Sequence, residues 1–256
     1  MPYLNSMINA TTIDEVIVHL DNIIAVCKQQ QSRMGYFACL YRKMTLAVKQ
    51  GIVDNIFANG SRMELLDVNF ANRYLQAWEA NSKMEKCTRS WSAVFSSSAT
   101  KNLIVLQHLI LGINTHINLD LAIAAAQTCP GIQVLSLEAD FNKINDIIGS
   151  LMQNVQDDLT SVWPPLRLIT KIANHKQDAI LNFSITTARK ASWASALALA
   201  ALPQAAVANY IDAMDNTVTE LAKRIINPGF VMRMLLNPVL KMEHGSVNDI
   251  IDMLRD

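Results

Sequence analysis

The sequence predicts an all-α fold, a single domain over residues 1–256 with about eight to ten helices around a buried central helix at about 100–128. Apolar residues recur at spacings of three and four along most of the chain, and strand-like alternation is nearly absent. Hydrophobic residues make up 51% of the chain and charged residues 17%, so some helices must be buried on most sides. The helices are separated by proline-containing breaks that do not resemble flexible linkers.

Capping residues and apolar spacing predict the first three helices. Thr12 followed by Glu15 is a capping box and begins the first helix. The stretch MGYFACLYRKMTLAVKQ indicates a second helix that ends near Gly51. Ser61 followed by Glu64 is another capping box, and it begins a third helix with an apolar face. The residues on that face are Met63, Leu66, Phe70, Tyr74 and Trp78.

The later elements are bounded mainly by proline and glycine, because proline lacks the backbone donor and restricts the residue before it. Breaks fall at Pro130-Gly131, Pro164-Pro165, Pro203 and Pro228-Gly229. Helices are predicted over residues 100–128, 136–162, 175–201, 204–226 and 246–255. Short helical pieces are predicted in TRSWSAVF and GFVMRMLL.

Composition excludes several classes of function. Lys plus Arg and Asp plus Glu number 22 each, and no basic block is interleaved with aromatic residues, so nucleic acid is not expected as a partner. The four cysteines form no CxxC pair, and the N-terminus lacks a secretory pattern, so we expect a cytoplasmic protein.

The uncharged span at 102–119 contains too many polar residues for a membrane span. Some of the apolar surface is available for a homo-oligomer interface.

The predicted central helix carries an unusual polar stripe in LQHLILGINTHINLD. His108, Gly112, His116 and Asp120 recur every four residues and therefore share one side of the helix. Glycine inside a helix costs about 1 kcal/mol relative to alanine, so Gly112 indicates the close approach of a ligand or of another helix.

His116 and Asp120 are neighbours at i and i+4 and have two alternative roles. They could ligate one divalent metal (zinc, iron or manganese), or the carboxylate could bind the imidazole and fix its tautomer. The alternative is a structural network in which Asn114 and Asn118 satisfy the histidines. An unpartnered buried polar group costs on the order of 1–3 kcal/mol, so this density of polar residues favours a functional site.

Other helices supply candidate partners for the stripe. Asp67 lies on the apolar face of the third helix, so its carboxylate should be paired, metal-bound or raised in pKa, and each of these would make it a candidate base or ligand. The alternative is a structural role, in which Asp67 forms a buried ion pair with Arg42, Arg73 or Arg189. The candidate catalytic residues are therefore His116, Asp67 and His108, and the candidate metal ligands are His116 and Asp120. The candidate substrate-binding residues are Asn114, Asn118, Asn145, Tyr74 and Arg189.

Two resemblances follow from these stretches. GYFACLYRKMTLAVK, MELLDVNFANRYL, LQHLILGINTHINLDLAIAAA, DFNKINDI and LNFSITTAR together resemble a bacterial family of uncharacterised proteins, a domain of unknown function. That resemblance covers nearly the whole chain and implies one helical domain. More locally, LGINTHINLD resembles the G-x-x-x-H-x-x-x-D helix of zinc-dependent phospholipase C, which implies His116 and Asp120 as zinc ligands.

Two functional hypotheses remain open. The first is an enzyme with a cavity between helices that uses a metal or acid/base chemistry on a small apolar or ester-like substrate. The second is a non-catalytic module that binds a small-molecule ligand or a protein through an apolar cavity or a methionine-rich surface such as FVMRMLLNPVLKM.

Overall fold

The computed structural model describes residues 9–144, 147, 185–243 and 245–255. Ten α-helices lie within these residues, a further α-helical stretch runs over 138–144, and no β-strand is found among them, which confirms the all-α prediction. In chain order the helices are α1 (Ile13–Gln30), α2 (Met34–Val53), α3 (Gly60–Ser82), α4 (Arg89–Ser97), α5 (Val105–Thr115), α6 (Ala122–Thr128), α7 (Ile185–Ala201), α8 (Gln204–Ile226), α9 (Phe230–Met242) and α10 (Val247–Arg255).

The predicted central helix exists and begins at Val105 rather than at residue 100. Helices α5 and α6 are joined without a break by a π-helical segment, His116–Leu121, so one helix runs over Val105–Thr128. Helices α2, α3, α4, α7 and α8 all pack against this central helix. In the most apolar 18-residue window of the central helix, 89% of the residues are buried inside the protein.

The central helix is long and apolar enough to cross a membrane. It is the one helix in the described ranges that meets this criterion, and its burial is also what the core helix of a soluble protein would show. Length and composition are therefore weak evidence for a membrane span here.

The helix starts follow their capping chemistry. Thr12 caps α1 as predicted, accepting a hydrogen bond from the backbone N–H of Glu15. The prediction that Ser61 caps α3 is wrong. The cap is Asn59, whose side-chain oxygen accepts from the backbone N–H of Arg62 at 3.0 Å, so the helix begins two residues earlier.

Several helix ends also differ from the prediction. Helix α2 continues two residues past Gly51, whose buried position packs against Ile56 and Phe57. Helix α9 is longer than the predicted piece and continues through Pro238 to Met242. The chain forms a 3-10 helix over Gly131–Leu137 and is α-helical over 138–144. The rest of the predicted 136–162 helix, apart from residue 147, and the first part of the 175–201 helix lie outside the described residues.

Candidate functional site

The π-helical segment carries the two most buried polar side chains of the predicted stripe. His116 is 3% exposed and Asp120 is 1% exposed, and His116 Nδ1 lies 3.1 Å from Asp120 Oδ2. A π-helical turn inside an α-helix is rare and is frequent at functional sites, because it changes the direction in which its side chains project. The pair predicted from i to i+4 spacing is therefore formed, within an irregular part of the helix.

Asp120 is held as a carboxylate by two further donors from neighbouring helices. Arg73 on α3 donates through Nε to Oδ1 at 2.9 Å, and Trp91 on α4 donates through its indole N–H to Oδ2 at 2.8 Å. A buried carboxylate is stable only when it is paired and hydrogen-bonded in this way. Asp120 therefore connects α3, α4 and the central helix.

The imidazole of His116 is enclosed by aromatic rings. Phe70 on α3 stacks on it with ring centroids 3.6 Å apart, and Tyr41 on α2 meets it edge-on at 4.4 Å. Phe37 and Trp91 lie within 6.0 Å of the same ring. This packing fixes the orientation of the imidazole and removes it from water.

These contacts determine the protonation state of His116. Burial lowers the pKa of its imidazole, and the hydrogen bond with Asp120 opposes that shift only in part. The neutral ring must place its proton on Nδ1, because Nδ1 faces Asp120 Oδ2, an oxygen of a carboxylate whose charge is also held by Trp91 at Oδ2 and by Arg73 at Oδ1. Nε2 is then an unprotonated acceptor, and it is buried with no hydrogen-bond partner among the residues that the structure describes.

A cavity of about 80 Å³ lies beside His116. That volume is several times the roughly 10–15 Å³ that one water molecule needs. Its walls are mainly apolar and come from α2, α3, the central helix and α7. They include Phe37, Leu40, Val48, Met63, Leu66 and Ile117. A few polar side chains also lie in these walls, which are otherwise apolar.

Asp67 is the second polar group in this cavity. It lies one helical turn before Phe70, is 7% exposed, and its Oδ2 has no hydrogen-bond partner within the described part of the chain. Burial raises the pKa of this carboxyl to about 7, with a smaller contribution from the nearby charge of Glu64. The prediction that Asp67 is buried on the apolar face is confirmed.

The arginines considered as partners for Asp67 make other contacts. Arg42 binds Asp21 at 2.8 Å, and Arg73 binds Asp120. Arg189 lines the same cavity as Asp67, but its Nη2 donates to the carbonyl of Phe141 at 2.5 Å and its guanidinium lies over the Phe141 ring. Burial lowers the pKa of Arg189 to about 10, so it remains a cation.

Tyr41 completes the polar groups of the cavity. Its hydroxyl is buried and has no hydrogen-bond partner among the described residues. Burial raises the pKa of the phenol well above its ordinary value, and the charges of Asp67 and Asp120 add to that shift. The hydroxyl is therefore neutral at physiological pH.

His108 does not join this site, although it was predicted to share the stripe. It lies with Tyr74 in a separate small pocket near Arg33, and Phe37 lines both spaces. Burial lowers the pKa of His108 to about 3, with a further contribution from the charge of Arg33. The structure therefore does not group His108 with His116 and Asp67, because the two histidines lie eight positions apart on the central helix and line different pockets.

Gly112 lies between the two histidines and leaves room for the Phe37 ring, which lines both of their pockets. A Cβ atom built on Gly112 would lie 2.4 Å from the ring of Phe37. The predicted close approach is therefore real, and the approaching group is an aromatic side chain of α2 rather than a backbone or a ligand.

The asparagines of the stripe face another surface. Asn114 donates to the carbonyl of Val218 on α8 at 3.1 Å, and Asn118 donates to the side chain of Asn114 at 3.0 Å. Both line an open groove beside α7 and α8 instead of the cavity at His116. Asn145 lies outside the described residues.

The donor set around Asp120 does not suit a metal ion. Both carboxylate oxygens already accept hydrogen bonds, and one of those donors is the Arg73 cation, which would repel a divalent metal. In the described ranges there is no group of three or more His, Cys, Asp or Glu side chains that could hold a metal. The arrangement favours the alternative role, in which Asp120 fixes the tautomer of His116.

Sequence reasoning missed the residues that give the site its character. The apolar spacing places Trp91, Phe70 and Tyr41 only in helices or in the core, and it offers Arg73 only as a partner of Asp67. Helical spacing identifies which residues share a face, but it does not show which faces of different helices meet. The density of polar residues in the HINLDL segment was the one signal of the π-helical turn.

Comparisons with known proteins identify the family without assigning an activity. A search of curated proteins gave no match, and a search of solved structures gave none either. The model of a family of unknown function, DUF5995, matches residues 13–228, from the start of α1 to just after α8. This match includes His116, Asp120 and Asp67 and all the helices that surround them. The chain therefore belongs to the DUF5995 family.

Proposed function

We propose that the cavity beside His116 binds a small, mainly apolar molecule and that His116 transfers a proton to or from it without a metal. The observation that carries this proposal is a buried imidazole whose Nε2 has no partner among the described residues, in the wall of an apolar cavity. Apolar pockets that contain a few polar groups with perturbed pKa values are typical of binding and active sites.

The proposed chemistry follows from the pairing of His116 with Asp120. A proton leaves the bound molecule and forms a bond to Nε2, which produces an imidazolium with both nitrogens protonated. Asp120 stabilises that cation across the 3.1 Å contact with Nδ1. Asp67 can supply or receive a second proton, because its pKa of about 7 allows both forms near neutral pH.

A binding experiment tests the cavity. The probe is 1-butanol, a short apolar chain with one hydroxyl, and its binding is followed by saturation-transfer NMR. Met44 is a half-buried residue at the cavity wall, so Met44→Trp should block the cavity without disturbing the core. We expect binding to the wild type and loss of binding in Met44→Trp.

The matched control is Asn118→Ala, which changes a half-buried residue of the separate groove. It should bind 1-butanol like the wild type. Failure of the wild type to bind at millimolar concentrations, or equal binding by Met44→Trp, would contradict the proposal.

The proton-transfer role is tested by His116→Gln, which keeps a neutral side chain of similar length and removes the basic nitrogen. This variant should still bind 1-butanol. Any turnover found by screening small apolar substrates should fall at least 100-fold, since positioned acid/base groups typically contribute 10²–10⁴-fold. Turnover that survives in His116→Gln would remove His116 from the chemistry.

A second candidate function is a non-catalytic interaction module. The observation that favours it is the outer face of α9, where Phe230 is 77% exposed and Met234 is 59% exposed. Exposed apolar side chains at this helical spacing can hold a partner helix. Phe230→Ser with Met234→Ser should then weaken an association detected by sedimentation, without affecting 1-butanol binding.

A further inference from the structure

The hydrogen-bonding groups left unused in the cavity are mostly acceptors. Asp67 Oδ2 and His116 Nε2 both lack partners among the described residues, and both line the same space. His116 Nε2 can only accept, because the single proton of the neutral ring is on Nδ1. An ionised Asp67 can also only accept. A ligand that satisfies both groups must therefore bring hydrogen-bond donors.

The aromatic surroundings add a second preference. Phe70, Tyr41 and Phe37 line the cavity together with Asp67, and the Phe70 and Tyr41 rings meet edge-on at 5.8 Å. Aromatic faces attract a cation, most strongly where it is removed from water. A carboxylate beside aromatic rings is therefore suited to an alkylammonium group.

The one cation in the described cavity wall does not compete for Asp67. Arg189 donates to the Phe141 carbonyl and stacks on the Phe141 ring, so its guanidinium is engaged toward the 138–144 helix. The groups with unsatisfied capacity are then the acceptors Asp67 and His116 and the Tyr41 hydroxyl, which can accept as well as donate.

We propose that the ligand is a small apolar amine, whose ammonium group binds Asp67 among the aromatic rings and whose N–H is aimed at His116 Nε2. This inference rests on the proposed function and specifies its substrate class. Proton transfer from the ammonium to Nε2 would release the neutral, nucleophilic amine and leave an imidazolium held by Asp120. The proton moves from nitrogen to nitrogen, so no other reactant is required.

Three probes of equal chain length test the substrate class: n-butylammonium, 1-butanol and butyrate. Dissociation constants are measured by NMR titration at pH 8. We expect the amine to bind at least 10-fold more tightly than the alcohol and butyrate to bind more weakly than both. Asp67→Asn should weaken amine binding at least 10-fold and change alcohol binding less than 3-fold.

The control variant is Glu64→Gln, which neutralises the neighbouring acid of α3 that binds the backbone N–H of Ile13. It should leave the preference for the amine in place. Because butylammonium remains charged between pH 6 and pH 8, its affinity should rise over that range as Asp67 ionises. The other groups around Asp67 are Glu64 on α3, Tyr41 on α2, His116 on the central helix and Arg189 on α7.

The outcomes separate this inference from the proposed function. Binding of 1-butanol or butyrate as tightly as the amine, or an amine preference unchanged in Asp67→Asn, would overturn the amine inference and leave the cavity proposal standing. Failure of all three probes to bind would overturn the proposed function together with the inference. A preference for the amine that disappears in Asp67→Asn alone would support both.

Discussion

At the scale of single residues, Asp120 is the group on which the orientation of His116 depends. Its carboxylate accepts from Arg73 and from the Trp91 indole and faces His116 Nδ1, and it is 1% exposed. Removing one donor to a buried charge leaves that charge undersatisfied, which costs on the order of 1–3 kcal/mol.

Trp91→Phe tests this dependence. The change keeps an aromatic ring in the core and removes the N–H that donates to Asp120 at 2.8 Å. We expect a loss of about 2 kcal/mol in the free energy of unfolding, measured by urea denaturation. Trp78→Phe is the matched control, since Trp78 is a buried ring that contacts Phe95, and equal losses in both variants would contradict the assigned role.

The raised pKa of Asp67 predicts how the free energy of unfolding depends on pH. Its pKa is about 7 in the folded protein, against an ordinary value of 3.8, so the folded state holds this proton more tightly than the unfolded chain. The contribution of Asp67 to stability is therefore lost as pH rises from about 4 to about 7, and the full penalty remains above that range.

Asp67→Asn cannot ionise and should escape this penalty. Relative to the wild type, the variant should gain on the order of 3 kcal/mol between pH 4.5 and pH 8, since one unit of pKa corresponds to about 1.4 kcal/mol. Urea denaturation at the two pH values measures the difference. The same stability difference at both pH values would show that Asp67 does not titrate as described.

At the scale of helices, the contact between the central helix and α2 depends on Gly112. A Cβ atom there would lie 2.4 Å from the Phe37 ring, so Gly112→Ala should overpack the core. We expect a destabilisation of about 1–3 kcal/mol, even though alanine is the better helix former by about 1 kcal/mol.

Two companion variants make that prediction specific. Gly60→Ala, at the first residue of α3, places a Cβ 3.3 Å from the Cγ2 methyl of Ile52 and should change stability by less than about 1 kcal/mol. Phe37→Leu combined with Gly112→Ala should recover part of the loss, because the smaller side chain frees the space. Thermal unfolding of the wild type, Phe37→Leu, Gly112→Ala and the double variant would show whether the two positions are coupled.

The helices were predictable from the sequence to the extent that their signals are local. Thr12, the proline before α8 and the apolar spacing of α1 to α3 indicate their elements directly. The predicted start of α3 is wrong because two polar residues on either side of Gly60, Asn59 and Ser61, can each cap, and only the packing of the helix decides between them. The π-helical turn is not predictable from spacing, because spacing assumes a regular α-helix and does not show the contacts that Asp120 makes with α3 and α4.

The sequence predicted which residues belong to the candidate site better than it predicted how those residues are arranged in space. His116, Asp120 and Asp67 were identified because polar residues on apolar faces are costly, and all three are buried. His108, Asn114 and Asn118 were grouped with them on the same reasoning and lie in other pockets. Residues of a single helix can face several neighbours at once, so a stripe in the sequence does not define one site.

At the scale of the whole molecule, the core extends past the family match. Helix α10 lies after residue 228, yet Ile251 is completely buried against Gly35, and Cys39 contacts the Ile251 carbonyl. Ion pairs from Lys28 to Asp252 and from Arg255 to Asp21 join α10 to α1. The C-terminal helix is therefore part of the same packed structure.

Ile251→Ala tests this continuity. Truncating a fully buried isoleucine removes about 2–5 kcal/mol, so the variant should lower the midpoint of unfolding for the whole protein in one transition. Val231→Ala, on the exposed side of α9, should have an effect within about 0.5 kcal/mol. A separate early transition in Ile251→Ala would show instead that α10 unfolds independently of the core.

The most direct test of the central claim is the tautomer of His116, measured by long-range ¹H–¹⁵N NMR on histidine-labelled protein, with His116→Gln for assignment. We predict a neutral imidazole at pH 7 and at pH 8, with the proton on Nδ1 and Nε2 bare. Addition of n-butylammonium should shift the Nε2 resonance. A proton found on Nε2, or a ring already charged at pH 8, would contradict the claim that His116 presents a base to the cavity.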